Sequence, residues 1–285
     1  MLSMTEFVSG GLAGMAQVIS AHPLDLVKTR LQLNTNQQAY KGPIDCLVKT
    51  VKQEGFFTLY KGMGAPIVGV AFVNAVLFSS FGFFKNIQCS ARQSPSQLSI
   101  AQIGIAGSFA GIVNSFVAGP IEMVKLRLQA ERNTGEASKP TQLVSRIYSK
   151  FGVSGLFRGL QATIIKEIPA YFGFFGAYET SCRLLADSPY ESPTNLSPPA
   201  LVLSGAIGGL GYWVSCYPLD VIKTRIQNTD TNQKSANFIQ NVKDIYSEMG
   251  FRGFYRGFSA CLLRAVPSAA ATFVVYELSM KHLAP

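Results

Sequence analysis

The sequence predicts an all-α membrane protein in which six transmembrane helices form a pseudo-threefold bundle of three tandem repeats, each repeat carrying one short additional helix. Hydrophobic residues make up 48% of the 285-residue chain and charged residues only 14%, which is too apolar for an ordinary soluble domain of this size. Six apolar segments of about 20 residues each suit a hydrocarbon core about 30 Å thick. Three sets of sequence markers also recur along the chain at one spacing.

These markers stay in register over nearly the whole chain. Pro23, Pro120 and Pro218 lie 97 and 98 residues apart, and the segments LYKG, LFRG and FYRG recur at the same two offsets. Glycine pairs of the GxxxG type, which allow helices to approach closely, form the third set. The pairs are Gly10/Gly14, Gly107/Gly111 and Gly205/Gly209. The predicted repeats are 3–88, 99–186 and 197–283.

Each repeat has the same predicted order of elements. A first apolar segment runs into the proline-containing stretch at about 4–22, 101–119 and 200–217. A polar stretch follows and holds a short amphipathic helix, such as PIDCLVKTVKQEG, with Ile44, Leu47, Val48 and Val51 on one face. A second apolar segment closes the unit at about 63–84, 160–182 and 258–280. Pro/Ser-rich linkers separate the repeats.

Composition argues against several other classes of protein. The net charge of +9 is spread over repeated positions, so we expect no nucleic-acid partner. The five cysteines show no metal-binding spacing and are expected to be small apolar residues of the interior. No nucleophile–base pair, phosphate loop or metal motif is visible, so we expect no enzyme, no metal and no cofactor. The start MLSMTEF lacks a basic region and predicts no cleavable signal.

Charges inside the apolar segments are the candidate functional residues. An acidic or basic side chain facing lipid would cost about 2.5–3.5 kcal/mol, so these residues are expected to face inward and pair. Seven residues beyond each turn glycine, about 10 Å deeper, stand Gly69, Lys166 and Arg264, with Glu167 next to Lys166. These three charges break the threefold symmetry, and an asymmetric solute requires such residues. They are therefore the candidate solute site.

The pattern P-x-[D/E]-x-x-[K/R]-x-[K/R]-x-Q, here called the signature, is complete in all three repeats, and an aromatic-basic-glycine turn follows each copy. The copies are Pro23/Asp25/Lys28/Arg30/Gln32, Pro120/Glu122/Lys125/Arg127/Gln129 and Pro218/Asp220/Lys223/Arg225/Gln227. In these residues the chain resembles the mitochondrial carrier family over essentially its whole length. The resemblance implies a multi-pass protein of the mitochondrial inner membrane, with its termini in the intermembrane space and its short helices on the matrix side. It also implies a functional monomer that works by alternating access between two gates, although a peroxisomal or other membrane stays open.

For the matrix side, the resemblance implies that the acid of one repeat pairs with the base of the next. The implied pairs are Asp25–Lys125, Glu122–Lys223 and Asp220–Lys28, with Gln32, Gln129 and Gln227 bracing them by hydrogen bonds. Since burial of charge costs almost as much as the pairing gains, such a gate closes yet can still open.

For the cytoplasmic side, the chain departs from the family pattern [F/Y]-[D/E]-x-x-[K/R]. The residues that remain are Lys85, Glu179, Glu277, Tyr178 and Tyr276. Only Glu277–Lys85 keeps both partners, with the two tyrosines as braces. The sequence therefore predicts a strong matrix gate and a weak cytoplasmic gate.

The three aromatic-basic-glycine turns match the family's cardiolipin-binding motif. The residues concerned are Lys61, Gly62, Arg158, Gly159, Arg256 and Gly257. Glycine amides at a helix N-terminus favour phosphate, and the base adds positive charge. Simple interfacial anchoring is the alternative.

The family resemblance makes Gly69, Lys166, Glu167 and Arg264 the solute contacts. Arg264 suits a carboxylate, Lys166 adds positive charge and Glu167 suits an amino or quaternary ammonium group, while Gly69 leaves room for a longer solute tail. The alternative is an internal pair of Glu167 with Lys166 or Arg264 and no solute. His22 and Trp213 look like the carnitine/acylcarnitine and basic amino-acid branch, although a pore-wall histidine and a packing tryptophan are alternatives.

The partner implied by these residues is a small zwitterionic or cationic solute, besides cardiolipin and membrane lipid. The leading hypothesis is an antiporter for a basic amino acid of the ornithine, lysine or arginine type. A carnitine/acylcarnitine exchanger comes second and a carrier of another amino acid such as glutamate third. An inactive membrane scaffold would not need the symmetry-breaking charges.

Overall fold

The structure is a computed structural model and is all-helical over the residues that it describes. These residues are 4–33, 40–89, 97–130, 140–186, 196–228, 237–264, and the positions 267, 268, 271, 274, 275, 278, 279 and 282. In chain order the helices are α1 (Met4–Leu33), α2 (Pro43–Glu54), α3 (Gly64–Gln88), α4 (Ile100–Ala130), α5 (Pro140–Leu156), α6 (Leu160–Leu185), α7 (Pro198–Asn228), α8 (Phe238–Met249) and α9 (Phe258–Leu263). A long, a short and a long helix thus follow one another in the first two repeats, and the described positions beyond α9 continue the third as helix.

The signature prolines lie inside long helices rather than at their ends. The helices α1, α4 and α7 contain 30, 31 and 31 residues and pass through Pro23, Pro120 and Pro218. Each proline removes one backbone donor, yet the helix continues for about three further turns. The apolar segment and the amphipathic tail expected from the sequence are therefore one helix about 45 Å long.

The short helix α2 shows how the extramembrane helices attach. Its Cys46 is fully buried and packs with Val27 and Leu31 of α1 and Ala260 of α9. Burial raises the pKa of the Cys46 thiol to about 11, so this thiol stays protonated. Ile44 and Val48, from the apolar face that the sequence predicts, are exposed. Leu47 of the same face packs against the Cys46 cluster, so the predicted apolar face is only partly buried.

The long helices pack α3 on α4, α4 on α6, and α6 on α7. The α4–α6 contact depends on Gly107 and Gly111, because a Cβ added at Gly111 would lie 2.5 Å from Cδ2 of Tyr171. The other two GxxxG pairs do not behave as predicted, since Gly14 and Gly205/Gly209 have no heavy atom within 4 Å of an added Cβ. On α7 the neighbouring glycines Gly208 and Gly211 make the close contact instead, since an added Cβ at Gly211 would lie 2.5 Å from the Gly173 carbonyl oxygen of α6.

The exposed surface of α4 is a stripe of large apolar side chains. Ile105, Phe109, Val113 and Phe116 recur at helical spacing and are all exposed. By length and apolarity, two of the described helices could cross a membrane, α4 and the Ala200–Asn228 part of α7. The helices α1, α3 and α6 are long enough, with 30, 25 and 26 residues, but do not meet the same criterion. The six predicted spans are thus supported in part.

Candidate functional site

A cavity of about 530 Å³ lies between the long helices. Charged side chains of α1, α4, α6, α7 and the end of α9 line it: Asp25, Lys28, Glu122, Lys125, Lys166, Asp220, Lys223 and Arg264. The wall formed by α3 is different, because Pro66, Val70, Leu77 and Phe78 are apolar and Asn74 is its only polar lining residue in the described part of the chain. The cavity therefore combines a charged region with an apolar wall.

The signature charges form three ion pairs between neighbouring repeats. Lys125 lies 2.5 Å from Asp25, and Lys28 lies 2.5 Å from Asp220. Lys223 pairs with Glu122, whose side chain is 36% exposed and thus the most accessible of the six. These are the pairs expected from the sequence. Together they connect α1, α4 and α7 in a ring, which we call the matrix gate after the role that the family resemblance implies.

The glutamines of the signature behave less regularly than expected. Gln32 donates to Asp220 at 2.9 Å and so supports the Lys28–Asp220 pair. Gln129 and Gln227 were predicted to brace the other two ion pairs, but among the described residues neither side chain forms a hydrogen bond to an ion-pair residue, so this prediction is wrong. Gln129 instead accepts a hydrogen bond from Thr29 of α1 at 2.9 Å, and its Nε2 lies 3.4 Å from Nε2 of His22.

Gln227 is turned in another direction. Its amide donates to the Thr163 hydroxyl of α6 at 3.3 Å, and no hydrogen bond joins it to the Glu122–Lys223 pair in the described part of the structure. Gln227 lies directly beside Gly159, where a Cβ would come within 2.8 Å of its Cγ. Close packing against this turn therefore holds Gln227 away from the ion pair.

Arg264 binds a gate residue rather than standing alone in the cavity. Its Nη1 donates to Oδ1 of Asp25 at 2.7 Å, while Lys125 binds Oδ2 of the same carboxylate. The side chain of Arg264 is 25% exposed to the cavity. Asp25 therefore belongs to both the gate and the candidate solute site, a double role that sequence reasoning missed.

Lys166 and Glu167 form an internal pair. Their charged groups are 2.7 Å apart and both side chains are nearly fully buried. The hydroxyl of Tyr212 accepts from Lys166 at 2.9 Å and donates to Glu167 at 2.9 Å, and Lys166 lies 3.8 Å from Asp220. Glu167 is thus engaged by its neighbours in this structure, which matches the internal pair that the sequence left as an alternative.

Trp213 lies in the cavity wall beside two of these cations. The Lys28 ammonium is 4.0 Å and the Arg264 guanidinium 5.1 Å from its ring. Both distances fall within the range of a cation–π contact. Trp213 therefore contacts both Lys28 and Arg264, the arginine of the candidate solute site.

Two predicted solute contacts lie elsewhere. Gly69 is buried against α4, where an added Cβ would lie 2.7 Å from Cδ1 of Ile121, so it leaves no room for a solute. His22 is fully buried and its Nε2 lies 2.9 Å from the carbonyl of Lys61. Neither residue lines the cavity. Val70, the next residue of α3, lines the cavity instead, because adjacent positions on a helix point in different directions.

The family model that describes the mitochondrial carrier protein matches three stretches of this chain, residues 2–91, 96–189 and 194–285. The chain belongs to the mitochondrial carrier family. Carriers of this family transport solutes, are not enzymes, and reside in the mitochondrial inner membrane.

Relatives with more specific names are similar over almost their whole length. The chain is 36% identical to mitochondrial substrate carrier family protein S of Dictyostelium discoideum, over 98% of each chain. It is 34% identical to the mitochondrial carnitine/acylcarnitine carrier protein of Mus musculus, over 98% of this chain and 94% of the relative. It is 33% identical to the glutamate/glycine mitochondrial carrier ymc1 of Schizosaccharomyces pombe, over 99% and 95%.

The carrier's basic turns connect neighbouring repeats. Gly62, Gly159 and Gly257 have φ values of 85°, 77° and 86°, a left-handed conformation that favours glycine. Gly62 packs on the backbone of Lys125, and Gly257 packs on the backbone of Lys28. Lys61, Arg158 and Arg256 immediately precede these glycines, at the start of α3, α6 and α9.

At the opposite end of the carrier, Glu179 accepts from Arg183 at 3.0 Å. Arg183 was missed because it stands one position beyond the base of the family pattern, and its guanidinium also donates to the Leu98 carbonyl at 2.5 Å. Lys85 lies 5.5 Å from the Phe81 ring, and Tyr178 packs beside Gly208. The remaining predicted residues, Tyr276 and Glu277, lie outside the described residues, so the Glu277–Lys85 pair stays a prediction.

Tyr212 is the cavity residue of the carrier that sequence reasoning should have found. It precedes Trp213 and stands six residues before Pro218, where the other repeats have Gln17 and Asn114. Its departure from the threefold pattern was the available signal.

Among the described residues, no group of three or more metal-ligating side chains occurs.

Proposed function

We propose that this carrier exchanges small zwitterionic solutes, each with one carboxylate and one cationic nitrogen, across the mitochondrial inner membrane by alternating access. The Arg264–Asp25 ion pair inside the cavity is the observation that carries this proposal. A zwitterion replaces both halves of that pair, since its carboxylate binds Arg264 and its cationic nitrogen approaches Asp25. A simple anion would leave Asp25 with one cation fewer, and a simple cation would leave Arg264 without a counterion.

The charge balance around the cavity supports the same solute class. The bases are Lys28, Lys125, Lys166, Lys223 and Arg264, and the acids are Asp25, Glu122, Glu167 and Asp220. One positive charge is in excess in this set. It favours solutes with a carboxylate and disfavours purely cationic ones. Two carboxylates would leave one of them without a basic partner, because the other four bases already contact acids.

All three ion pairs of the proposed matrix gate are formed in this structure, and we infer that the gate is closed. From the ion pairs the cavity lining extends back to Gln17 of α1 and Gly209 of α7, toward the ends where these helices begin, which in the family face the intermembrane space. We propose that solute enters from that side, that the three ion pairs then separate, and that the charges at the other end of the bundle close behind it. With fewer complementary charges there, opening of the matrix gate limits turnover.

Carnitine and its acyl esters are the first candidates. The apolar α3 wall, with Val70, Leu77 and Phe78, suits an acyl chain, and the ring of Trp213 suits a quaternary ammonium. A relative that shares most of its length with this chain is named a carnitine/acylcarnitine carrier. A zwitterionic head and an apolar tail would fill the two unlike regions of the cavity.

A basic amino acid is the second candidate. It carries an additional ammonium group, and Glu122 is the most accessible acid of the gate, with a side chain 36% exposed. Lysine or ornithine could direct that group to Glu122 while its zwitterionic end binds Arg264. Glutamate, the third candidate, has a second carboxylate for which the cavity offers no separate base.

The lipid partners and the functional monomer expected from the sequence are part of the proposal. The left-handed glycines at the starts of α6 and α9, each preceded by an arginine, suit a phosphate headgroup such as that of cardiolipin. The central cavity formed within one chain supports a monomer as the transporting unit.

Counter-exchange in liposomes tests the proposed function. Purified carrier is reconstituted with internal carnitine, and uptake of labelled carnitine, ornithine, lysine, glycine and glutamate is compared with protein-free vesicles. We expect rapid carnitine exchange, slower exchange of the basic amino acids and no uptake in vesicles without internal solute. Absence of exchange for every zwitterion would contradict the proposed function, and exclusive exchange of lysine and ornithine would reverse the order of the two candidates.

A further inference from the structure

The residue before each signature proline differs between repeats, yet in two repeats it makes the same contact. His22 precedes Pro23 and binds the carbonyl of Lys61, with Nε2 and O 2.9 Å apart. Tyr217 precedes Pro218 and donates its hydroxyl to the carbonyl of Arg256 at 3.0 Å. Since a carbonyl oxygen only accepts, Nε2 of His22 carries the hydrogen. Both bonds join a gate helix to the basic turn of its own repeat.

The same two turns also contact the gate helix of the next repeat. At Gly62 an added Cβ would lie 3.2 Å from the Lys125 carbonyl, and at Gly257 it would lie 3.3 Å from the Lys28 carbonyl. Lys125 and Lys28 are the bases that pair with the acids three residues beyond His22 and Tyr217. Each turn therefore contacts both helices of one gate ion pair, the helix that carries the acid and the helix that carries the base.

The second repeat lacks this arrangement. Gly119 stands before Pro120 and has no side chain with which to reach the Arg158–Gly159 turn. Gly159 packs against the side chain of Gln227 rather than against the backbone of the gate base. The corresponding ion pair, Glu122–Lys223, contains the most exposed acid of the gate.

We propose that His22 and Tyr217 are positioning residues that clamp two of the three matrix-gate ion pairs through the basic turns, and that the third pair is unclamped. The carbonyl of the turn is fixed by the gate helix on one side, and the turn glycine is seated on the neighbouring gate helix on the other. Separation of Asp25 from Lys125, or of Asp220 from Lys28, must therefore move the turn or break this hydrogen bond. The Glu122–Lys223 pair can separate without that cost and opens first.

The clamp rests on the proposed gate, and substitutions that remove its two hydrogen bonds test it. Tyr217→Phe removes one hydroxyl, and Tyr246→Phe, at a tyrosine 64% exposed on α8, is the matched control. His22→Leu removes the other bond, and His22→Gln restores an N–H donor of similar reach. A neutral hydrogen bond contributes about 0.5–1.5 kcal/mol to the closed state, so its loss should raise turnover about two- to tenfold with KM unchanged.

Exchange rates and apparent melting temperatures are then measured on the same preparations. Faster turnover in Tyr217→Phe and His22→Leu, with Tyr246→Phe and His22→Gln like the wild type, supports the clamp. Turnover unchanged or slower in the first two variants overturns it, even if their melting temperatures fall. If the wild type exchanges none of the solutes, the proposed function fails, and the clamp is then judged on melting temperature. In that case, destabilisation by Tyr217→Phe and His22→Leu but by neither control supports it, and any other pattern overturns it.

Discussion

At the scale of single residues, Asp25 is where the gate and the solute site meet. Its two carboxylate oxygens accept from Lys125 and from Arg264, at 2.5 Å and 2.7 Å. A solute that draws Arg264 away changes the charge around a gate residue directly. In the proposed mechanism, binding and gate opening are therefore connected through one side chain, without an intervening relay.

Replacement of Arg264 should remove this connection. We expect Arg264→Ala to lower kcat/KM for exchange by about 10- to 100-fold, because a hydrogen bond between charged groups contributes about 1.5–3 kcal/mol. Arg264→Lys should recover only part of the activity, since it keeps the charge but loses the planar fork. Arg146→Ala, an exposed arginine on α5, is the control. Full activity in Arg264→Ala would remove this residue from the site.

The signature glutamines give a second prediction at this scale. Gln32 donates to the charged Asp220, whereas Gln227 donates to the neutral hydroxyl of Thr163. Gln32→Ala should therefore destabilise the protein by about 1.5–3 kcal/mol and Gln227→Ala by only about 0.5–1.5 kcal/mol. Apparent melting temperatures in one detergent compare the two variants. Equal losses would mean that the two glutamines support the gate alike.

At the scale of elements, the contact between α4 and α6 depends on glycine, while Gly14 of α1, which corresponds to Gly111, faces open space. Gly111→Ala should destabilise the carrier by about 1–3 kcal/mol, because its Cβ would collide with Tyr171. Gly14→Ala, at the corresponding position of the first repeat, should be neutral or stabilising by up to about 1 kcal/mol. Thermal unfolding measures both. Equal destabilisation by the two substitutions would show that α1 is as closely packed as α4.

The elements also show how far the sequence could predict this molecule. Repetition located the long and short helices and the recurring charges, and the cost of leaving charge bare predicted that these charges pair. The family resemblance supplied which acid pairs with which base. The sequence did not predict the contacts of Gln129, Gly69 or His22 correctly, since an amide, a glycine and an imidazole can each lie against several kinds of neighbour. Which partner they meet depends on neighbours such as Thr29 and Ile121, and that is settled only by packing in three dimensions.

At the scale of the whole molecule, the proposed matrix gate is a ring of three ion pairs that link the three repeats. A charge exchange within one pair tests whether the ring depends on pairing alone. Glu122→Lys and Lys223→Glu should each reduce exchange strongly, by at least about tenfold, because each leaves two like charges together in a buried setting. The double variant should regain much of the lost activity. No recovery in the double variant, at equal protein levels, would argue that each residue has a separate role.

The central claim is that a solute replaces both halves of the Arg264–Asp25 pair. The most direct measurement compares three solutes in the same counter-exchange assay: carnitine, choline, which lacks the carboxylate, and a short monocarboxylate, which lacks the cationic nitrogen. We predict exchange of carnitine and at least about a tenfold lower rate for each of the other two at equal concentration. Exchange of choline or of the monocarboxylate as fast as carnitine would contradict the account.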